Sequence, residues 1–435
     1  MVDILPFNGL IYNENKIGNI SRVISPPYDV VSATLKKKLY NAHPYNIINL
    51  ILPKGSAGER YRRAKKILTD WINKNILKFD NDRCFYIIEE SYHLNNKLKK
   101  IMGFIGLTKL EPYSKLQIIP HEQTSFKIKE DRLKLLSNCR ANFGLVYTLY
   151  NDNRNRILNI LKDTLQKNPF IDTPAGYDST LRFKLWKVTD TGKINKIINI
   201  MKDKKLIIAD GHHRYETSLA YKEKHNKPDS KKGRNLPGPG PEDFILTLYV
   251  ESGQNDLLIF PTYRTIKFKN YPGLEKVMVN LTDIFDIEAY TLKPASYLNK
   301  RLLKSKSRGL KSFFIYGENK KLYFITLKRS SAADIRTLAR STSGLYLNTD
   351  VNILHKFLMD KITALYKIEK INYTHSIDNV IENIDSKKFD IGVLLNTLTV
   401  KELEKICMSG HLMPEKSTYF YPKPCSGMIM YKFDH

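Results

Sequence analysis

Five residue types with chemical potential stand side by side at Asp210-Gly211-His212-His213-Arg214. An apolar run, KLIIAD (205–210), delivers them, and a helical pattern begins near Gly211, so they occupy a strand-to-helix switch. Backbone N–H groups at a helix start lack intrahelical partners, and the helix dipole favours an anion there. Gly211 permits a tight turn and close approach of a ligand. Arg214 carries a planar fork that matches phosphate oxygens. His212 and His213 can donate hydrogen bonds to a phosphoryl group or move protons near neutral pH. Asp210 can hold an ammonium, a hydroxyl or Mg2+. The plainer reading makes Asp210 a helix cap and the histidines satisfied polar groups. Adjacent histidines point different ways on a helix, which argues against a paired metal site.

Three further segments carry reactive side chains. Pro120-His121-Glu122-Gln123-Thr124 precedes Lys127, Asp131 and Arg132. Glu122 follows the end of an apolar strand, where partial desolvation would raise its pKa and suit it to general-base work. Lys127 and Arg132 can neutralise phosphate charge, although an ordinary charged loop and helix cap would look the same. MPEKSTYFYPK (413–423) sets Lys416, Ser417, Thr418 and three aromatics between prolines. It reads as a rigid loop able to close over a phosphate, or as a packed aromatic loop. Pro26-Pro27-Tyr28-Asp29 is a rigid turn with one carboxylate.

The elements that must position these residues follow from periodicity. Tyr61, Ala64, Leu68, Trp71 and Ile72 recur at helical spacing in 59–77. RCFYIIEESYHL and KLKKIMGFIGLTKL read as a hairpin around Asn95 and Asn96. HPYNIINLILP (43–53) reads as a turn entering a strand. EDRLKLLSNCRANFGLVYTLY reads as a helix leading to a strand, FKLWKVTD (183–190) as a strand and GKINKIINIMKD (192–203) as a helix. DFILTLYVES (243–252) and LLIFPTYRTI (257–266) read as strands. The Pro- and Gly-dense 227–243 reads as a loop. Beyond it, KSFFIYG, KLYFITL and FDIGVLLN read as strands, and VNILHKFLMDKITALYK and VKELEKICMSG as helices. This alternation predicts an α/β or α+β protein without internal repeats.

The chain has 435 residues, 42% hydrophobic and 11% aromatic, enough for two or three cores. No run approaches the roughly 20 apolar residues of a membrane span, and MVDILPFNG lacks the basic start of a secretory signal. A cytoplasmic protein without a membrane partner is expected. Cys84, Cys139, Cys407 and Cys425 are scattered and form no CxxC pair, so they read as reduced structural thiols. The sequence contains no GxxxxGK[ST] loop, no GxGxxG after a strand and no protein-kinase motif set. The net charge of +27 suits polyanions or phosphorylated ligands, and it also fits compositional drift, with Lys, Asn and Ile abundant together.

SPPYDVVS, HPYNIINLILP, PHEQT with RLKLL, RANFGLVYTLY, ADGHHRYET, PTYR, VNILH and MPEKSTYFYPK occur in this order across nearly the whole chain. Together they resemble a large bacterial and archaeal family labelled a conserved domain of unknown function. The DGHHR segment is similar to that of the ParB/sulfiredoxin-like free serine kinases. The resemblance implies a mixed α/β fold with a ParB/sulfiredoxin-like core at 101–266. An N-terminal α/β part would span 1–100, and a C-terminal α/β part at 267–435 would contribute a closing loop. It implies phosphoryl transfer to free L-serine giving O-phospho-L-serine, with inorganic pyrophosphate, ADP or ATP as donor, Mg2+ as cofactor, and a link to cysteine biosynthesis. By the same resemblance, Glu122 takes the serine proton and Asp210 orients the serine or its metal. Gly211, His212, His213 and Arg214 hold donor phosphates, with His121, Lys127, Arg132 and Lys416 as further phosphate ligands. Asp29, Thr124, Ser417 and Thr418 face the substrate. The chain departs from the family pattern at Tyr263, where His is common, and at His411, where Glu is common. The alternative is a ParB-like nucleotide- or nucleic-acid-binding protein without kinase activity. It has the charge in its favour and no helix-turn-helix or aromatic RNA-binding motif, so nucleic acid is not the expected partner.

Overall fold

The computed structural model describes residues 1–94, 96–225, 239–329 and 344–433. Asn95 of the expected hairpin turn and residues 227–238 of the expected loop lie outside them. The chain divides into two compact units. The first comprises residues 1–120, 124–257 and 422–435; the second comprises 121–123 and 258–421.

The first unit is built on a nine-stranded mixed sheet. From one edge its strands run Ile118–Ile119, Leu206–Asp210, Val146–Tyr150, Phe244–Glu251, Lys97–Lys109, Phe85–Leu94, Asp178–Val188 and Ile171–Ala175, with Ile4–Leu5 also paired to Lys97–Lys109. Two pairings are parallel: Leu206–Asp210 with Ile118–Ile119, and Phe244–Glu251 with Val146–Tyr150. Every residue of Phe244–Glu251 is buried, as expected of a strand covered on both faces. The core gathers Phe85, Phe104, Ile208, Tyr215 and Tyr249, with the Phe104 and Tyr249 rings stacked at 4.6 Å. Truncating Phe104 to Ala would cost roughly 3–5 kcal/mol. The helix expected over 59–77 ends at Asn73 and buries Tyr61, Ala64, Leu68 and Trp71 of the predicted stripe, leaving Ile72 half-buried.

The second unit has a six-stranded antiparallel sheet, in the order Phe285–Thr291, Lys321–Leu327, Ser312–Tyr316, Ile391–Leu394, Tyr263–Phe268 and Ile368–Thr374. The helices Ala295–Ser307, Ile377–Asp385 and Val400–Met408 each bury one apolar face. The whole is a mixed α/β protein.

Two local expectations are corrected. Ile48–Ile51 is a helical turn, not a strand. The Asn46 side chain accepts from the Ile48 N–H at 2.9 Å and donates to the Arg22 carbonyl at 2.8 Å, so local capping overrides β propensity. The run 257–266 is not one strand. It breaks at Pro261 into Leu258–Phe260, which pairs with Tyr419–Tyr421, and Tyr263–Phe268, which enters the six-stranded sheet. Proline has no N–H to continue a ladder. The expected helix at 351–367 forms, but it widens to π geometry over Leu354–Met359.

Candidate functional site

The strand Leu206–Asp210 is buried throughout and hands the chain to the helix His212–His225 through Gly211. Gly211 has φ +93, and a Cβ there would lie 3.0 Å from Arg214 Nε. Glycine is therefore needed twice over, for backbone sign and for space. Asp210 is 7% exposed. One carboxylate oxygen receives Arg214 Nη2 at 2.5 Å, and the other receives Lys423 Nζ. Burial by itself would push this carboxyl up. The Lys423 and Arg214 cations outweigh it, with His212 adding to the pull, and hold the group below the ordinary carboxylate range. Asp210 is thus an ionised anion set between two cations, leaving the corner net positive. Arg214 Nη1 also donates to the Leu145 carbonyl, which aims the guanidinium.

A cavity of about 70 Å³ adjoins this corner, lined by Tyr28, Arg132, Gly144, Arg214, Thr217 and Ser426 among others. Two guanidinium groups on one small cavity favour an oxyanion. Thr217 is 3% exposed and its buried Oγ1 has no hydrogen-bond partner, so an acceptor or donor there would meet an unmet need. Gly144 keeps the wall thin, since a Cβ would lie 3.1 Å from Arg214 Nη1. Arg132 is held by Asp131, by the Ile51 carbonyl at 2.8 Å and over the Tyr28 ring at 4.3 Å. Burial, with Asp29 adding, pushes the Tyr28 hydroxyl up to about 12 despite Arg214 and Arg132. Tyr28 is therefore a neutral hydrogen-bonding group.

The two histidines have different surroundings, as expected of neighbours on a helix. His212 is 2% exposed. His213 Nε2 accepts the Ser125 N–H at 2.9 Å, which puts any proton of a neutral ring on Nδ1. Thr124 Oγ1 donates to Glu216 at 2.7 Å, and Lys129 reaches the same oxygen at 2.8 Å. Asp29 and Lys127 are exposed.

The remaining predicted residues lie in the second unit, where two separate motifs meet. Glu122 forms a parallel bridge with Met413, and the Met413 N–H donates to the His121 carbonyl at 2.7 Å. His121 is fully buried, and its Nε2 shares a hydrogen bond of 2.6 Å with Thr418 Oγ1. Glu122 is half-buried. The Ser417 hydroxyl donates to the Pro414 carbonyl at 2.6 Å and so shapes its own turn. Lys416 is exposed, at φ 59.

Mg2+ was expected at Asp210, but both of that carboxylate's oxygens already receive cations. Among the described residues no three His, Cys, Asp or Glu gather to hold a metal. Sequence reasoning missed Lys423, Tyr28, Gly144, Thr217 and Ser426. Lys423 and Tyr28 stand inside segments already singled out, MPEKSTYFYPK and PPYD, and Gly144 inside RANFG; nothing marked Thr217 or Ser426.

A family model described as a protein of unknown function, DUF1015, matches residues 4–349. No curated protein matches the chain. Among solved structures, a mutant free serine kinase in complex with AMP aligns at TM-score 0.36 and 12% identity, covering 70% of this chain and 84% of that one. A conserved hypothetical protein from Pyrococcus furiosus aligns at 0.34 and 13%, covering 70% and 87%. C-terminally truncated SbnI from Staphylococcus aureus aligns at 0.34 and 12%, covering 75% and 87%. No described helix is long and apolar enough to cross a membrane.

Proposed function

The chain belongs to the DUF1015 family, and from that premise and the geometry around Asp210 we propose that it is a phosphotransferase acting on the hydroxyl of free L-serine, with inorganic pyrophosphate as the preferred donor. One observation carries the reading: a buried, net-positive corner, Asp210 between Arg214 and Lys423, beside a cavity lined by Arg132 and Arg214. In-line transfer of a phosphoryl group needs cations around the moving group and rigid positioning more than covalent chemistry. Arg132 and Arg214 supply the charge, and the start of the helix His212–His225 supplies backbone N–H groups. Asp210 keeps Arg214 and Lys423 aimed, and the family resemblance gives it the orienting of the serine or its metal. The family resemblance assigns Glu122 the serine proton. As it leaves, the donor's bridging P–O bond breaks, the serine O–P bond forms, and the departing phosphate carries away the negative charge. A donor without an adenine suits a sequence lacking the familiar nucleotide loops.

The test is direct. Purified protein is incubated with pyrophosphate, ADP or ATP and a panel of hydroxyl amino acids, and phosphorus NMR follows the products. O-phosphoserine is expected with pyrophosphate and L-serine, and the absence of any phosphorylated amino acid sinks the proposal. Glu122→Gln should lower kcat by at least about 100-fold without changing the circular dichroism spectrum. Near-normal turnover would remove Glu122 from the mechanism.

A further inference from the structure

The cavity beside Asp210 has a wall of two kinds. Ile51, Leu135, Leu136, Phe143 and Ile245 make it apolar on one side, and Arg132, Arg214, Thr217 and Ser426 make it polar on the other. Among the described residues no carboxylate lines it. A buried water occupies about 10–15 Å³ of such space, so about 70 Å³ takes roughly five small atoms, the size of one tetrahedral oxyanion.

Thr217 stands three residues after Arg214 on the helix His212–His225, so the two side chains share a face. Thr217 is 3% exposed, and its Oγ1 is buried without a hydrogen-bond partner although it lines the cavity. Ser426, equally buried, reaches the same wall from the C-terminal segment. A Cβ on Gly144 would lie 3.1 Å from Arg214 Nη1 and 3.2 Å from Ser426 Oγ, so these two atoms converge where glycine leaves room. Arg132 is held in place by Asp131 and by the Ile51 carbonyl. Two guanidinium groups, an unmet hydroxyl and a wall free of carboxylates call for a ligand rich in acceptor oxygens and negatively charged.

We infer that this cavity binds a single phosphate group, the Thr217 hydroxyl donating to it beside Arg132 and Arg214, and that inorganic phosphate released by the proposed reaction occupies it in competition with pyrophosphate. The competition rests on the kinase reading; the binding does not, and it is tested separately. The full chain is titrated by calorimetry at constant ionic strength with orthophosphate, with L-serine as the carboxylate arm and chloride as control. Orthophosphate should bind saturably. Thr217→Val should weaken it about tenfold or more, and Thr217→Ser, which keeps the hydroxyl, should stay within about threefold of the parent. Valine replaces a hydroxyl that has no partner in the protein, so circular dichroism should be unchanged and the Tm no lower than the parent's. A lowered Tm with unchanged phosphate affinity would make Thr217 structural and overturn the inference. So would the absence of saturable phosphate binding, or a loss in Thr217→Val confined to L-serine. In turnover assays orthophosphate should raise the KM for pyrophosphate and leave kcat alone, and Thr217→Val should relieve that inhibition. Turnover without such competition overturns this inference and spares the kinase reading. Phosphate binding that depends on the Thr217 hydroxyl, without O-phosphoserine from any donor, sinks the kinase reading alone.

Discussion

Two buried carboxyl groups in the first unit behave oppositely because one has cations beside it and the other has none. Asp210 stays ionised between Arg214 and Lys423. Glu90, 1% exposed in the strand Phe85–Leu94, has both oxygens buried without a hydrogen-bond partner, and burial pushes it up to about 8. The unfolded chain titrates the same group near about 4.3. Between those values the folded state holds a proton the unfolded state has lost. Stability from this group is therefore full below the unfolded pKa and declines as pH rises through the folded one. Glu90→Gln should remove the decline, giving a Tm several degrees above the parent at pH 8.5 and near-equal values at pH 4. Parallel Tm–pH curves for the two chains would contradict this. Neither environment was legible from type or spacing alone: Glu90 looks like any polar residue of a strand, and Lys423 lies far from Asp210 in sequence.

At the scale of elements, the strand-to-helix corner is the part most strongly dictated locally. KLIIAD has the length and apolarity of a buried strand, and Gly211 supplies the left-handed turn before the helix. Gly211→Ala places a side chain at φ +93 and 3.0 Å from Arg214 Nε. It should destabilise the protein by about 1–2 kcal/mol through backbone strain. By moving Arg214 it should also cut phosphotransfer at least tenfold, so unchanged kcat with a lowered Tm would show that Arg214 does not depend on the corner. Where the reading failed, a short-range effect was the cause. The Asn46 side chain turned 48–51 helical, and Pro261 split an apolar run between two sheets.

For the whole molecule, the +27 charge is the feature that most favours nucleic-acid binding over catalysis. Non-specific DNA binding falls steeply with salt as counterions are released. Binding to random duplex DNA should therefore be lost between about 50 and 200 mM NaCl, while phosphotransfer to serine persists across that range. DNA binding that survives the higher salt in a chain without turnover would favour the binding reading. The two units each collect their own motifs. PPYD, RANFG, DGHHR and Lys423 belong to the first, and His121–Gln123, PTYR, VNILH and the 413–418 turn belong to the second. The chain leaves the first unit for only three residues at 121–123, and no composition shift marks that excursion.

Periodicity and residue chemistry alone determined the mixed α/β class, a helix within 59–77, a hairpin within 83–110 and the strand-to-helix corner near Gly211, because each depends on neighbours within a turn or a strand. Tertiary structure alone decided that Lys423 joins Arg214 on Asp210, that Arg132 and Arg214 line one cavity, and that Arg264 is buried without an anion. Those facts arise from residues tens to hundreds of positions apart. Charge pairing and desolvation depend on distance in space, which the order of residues does not encode.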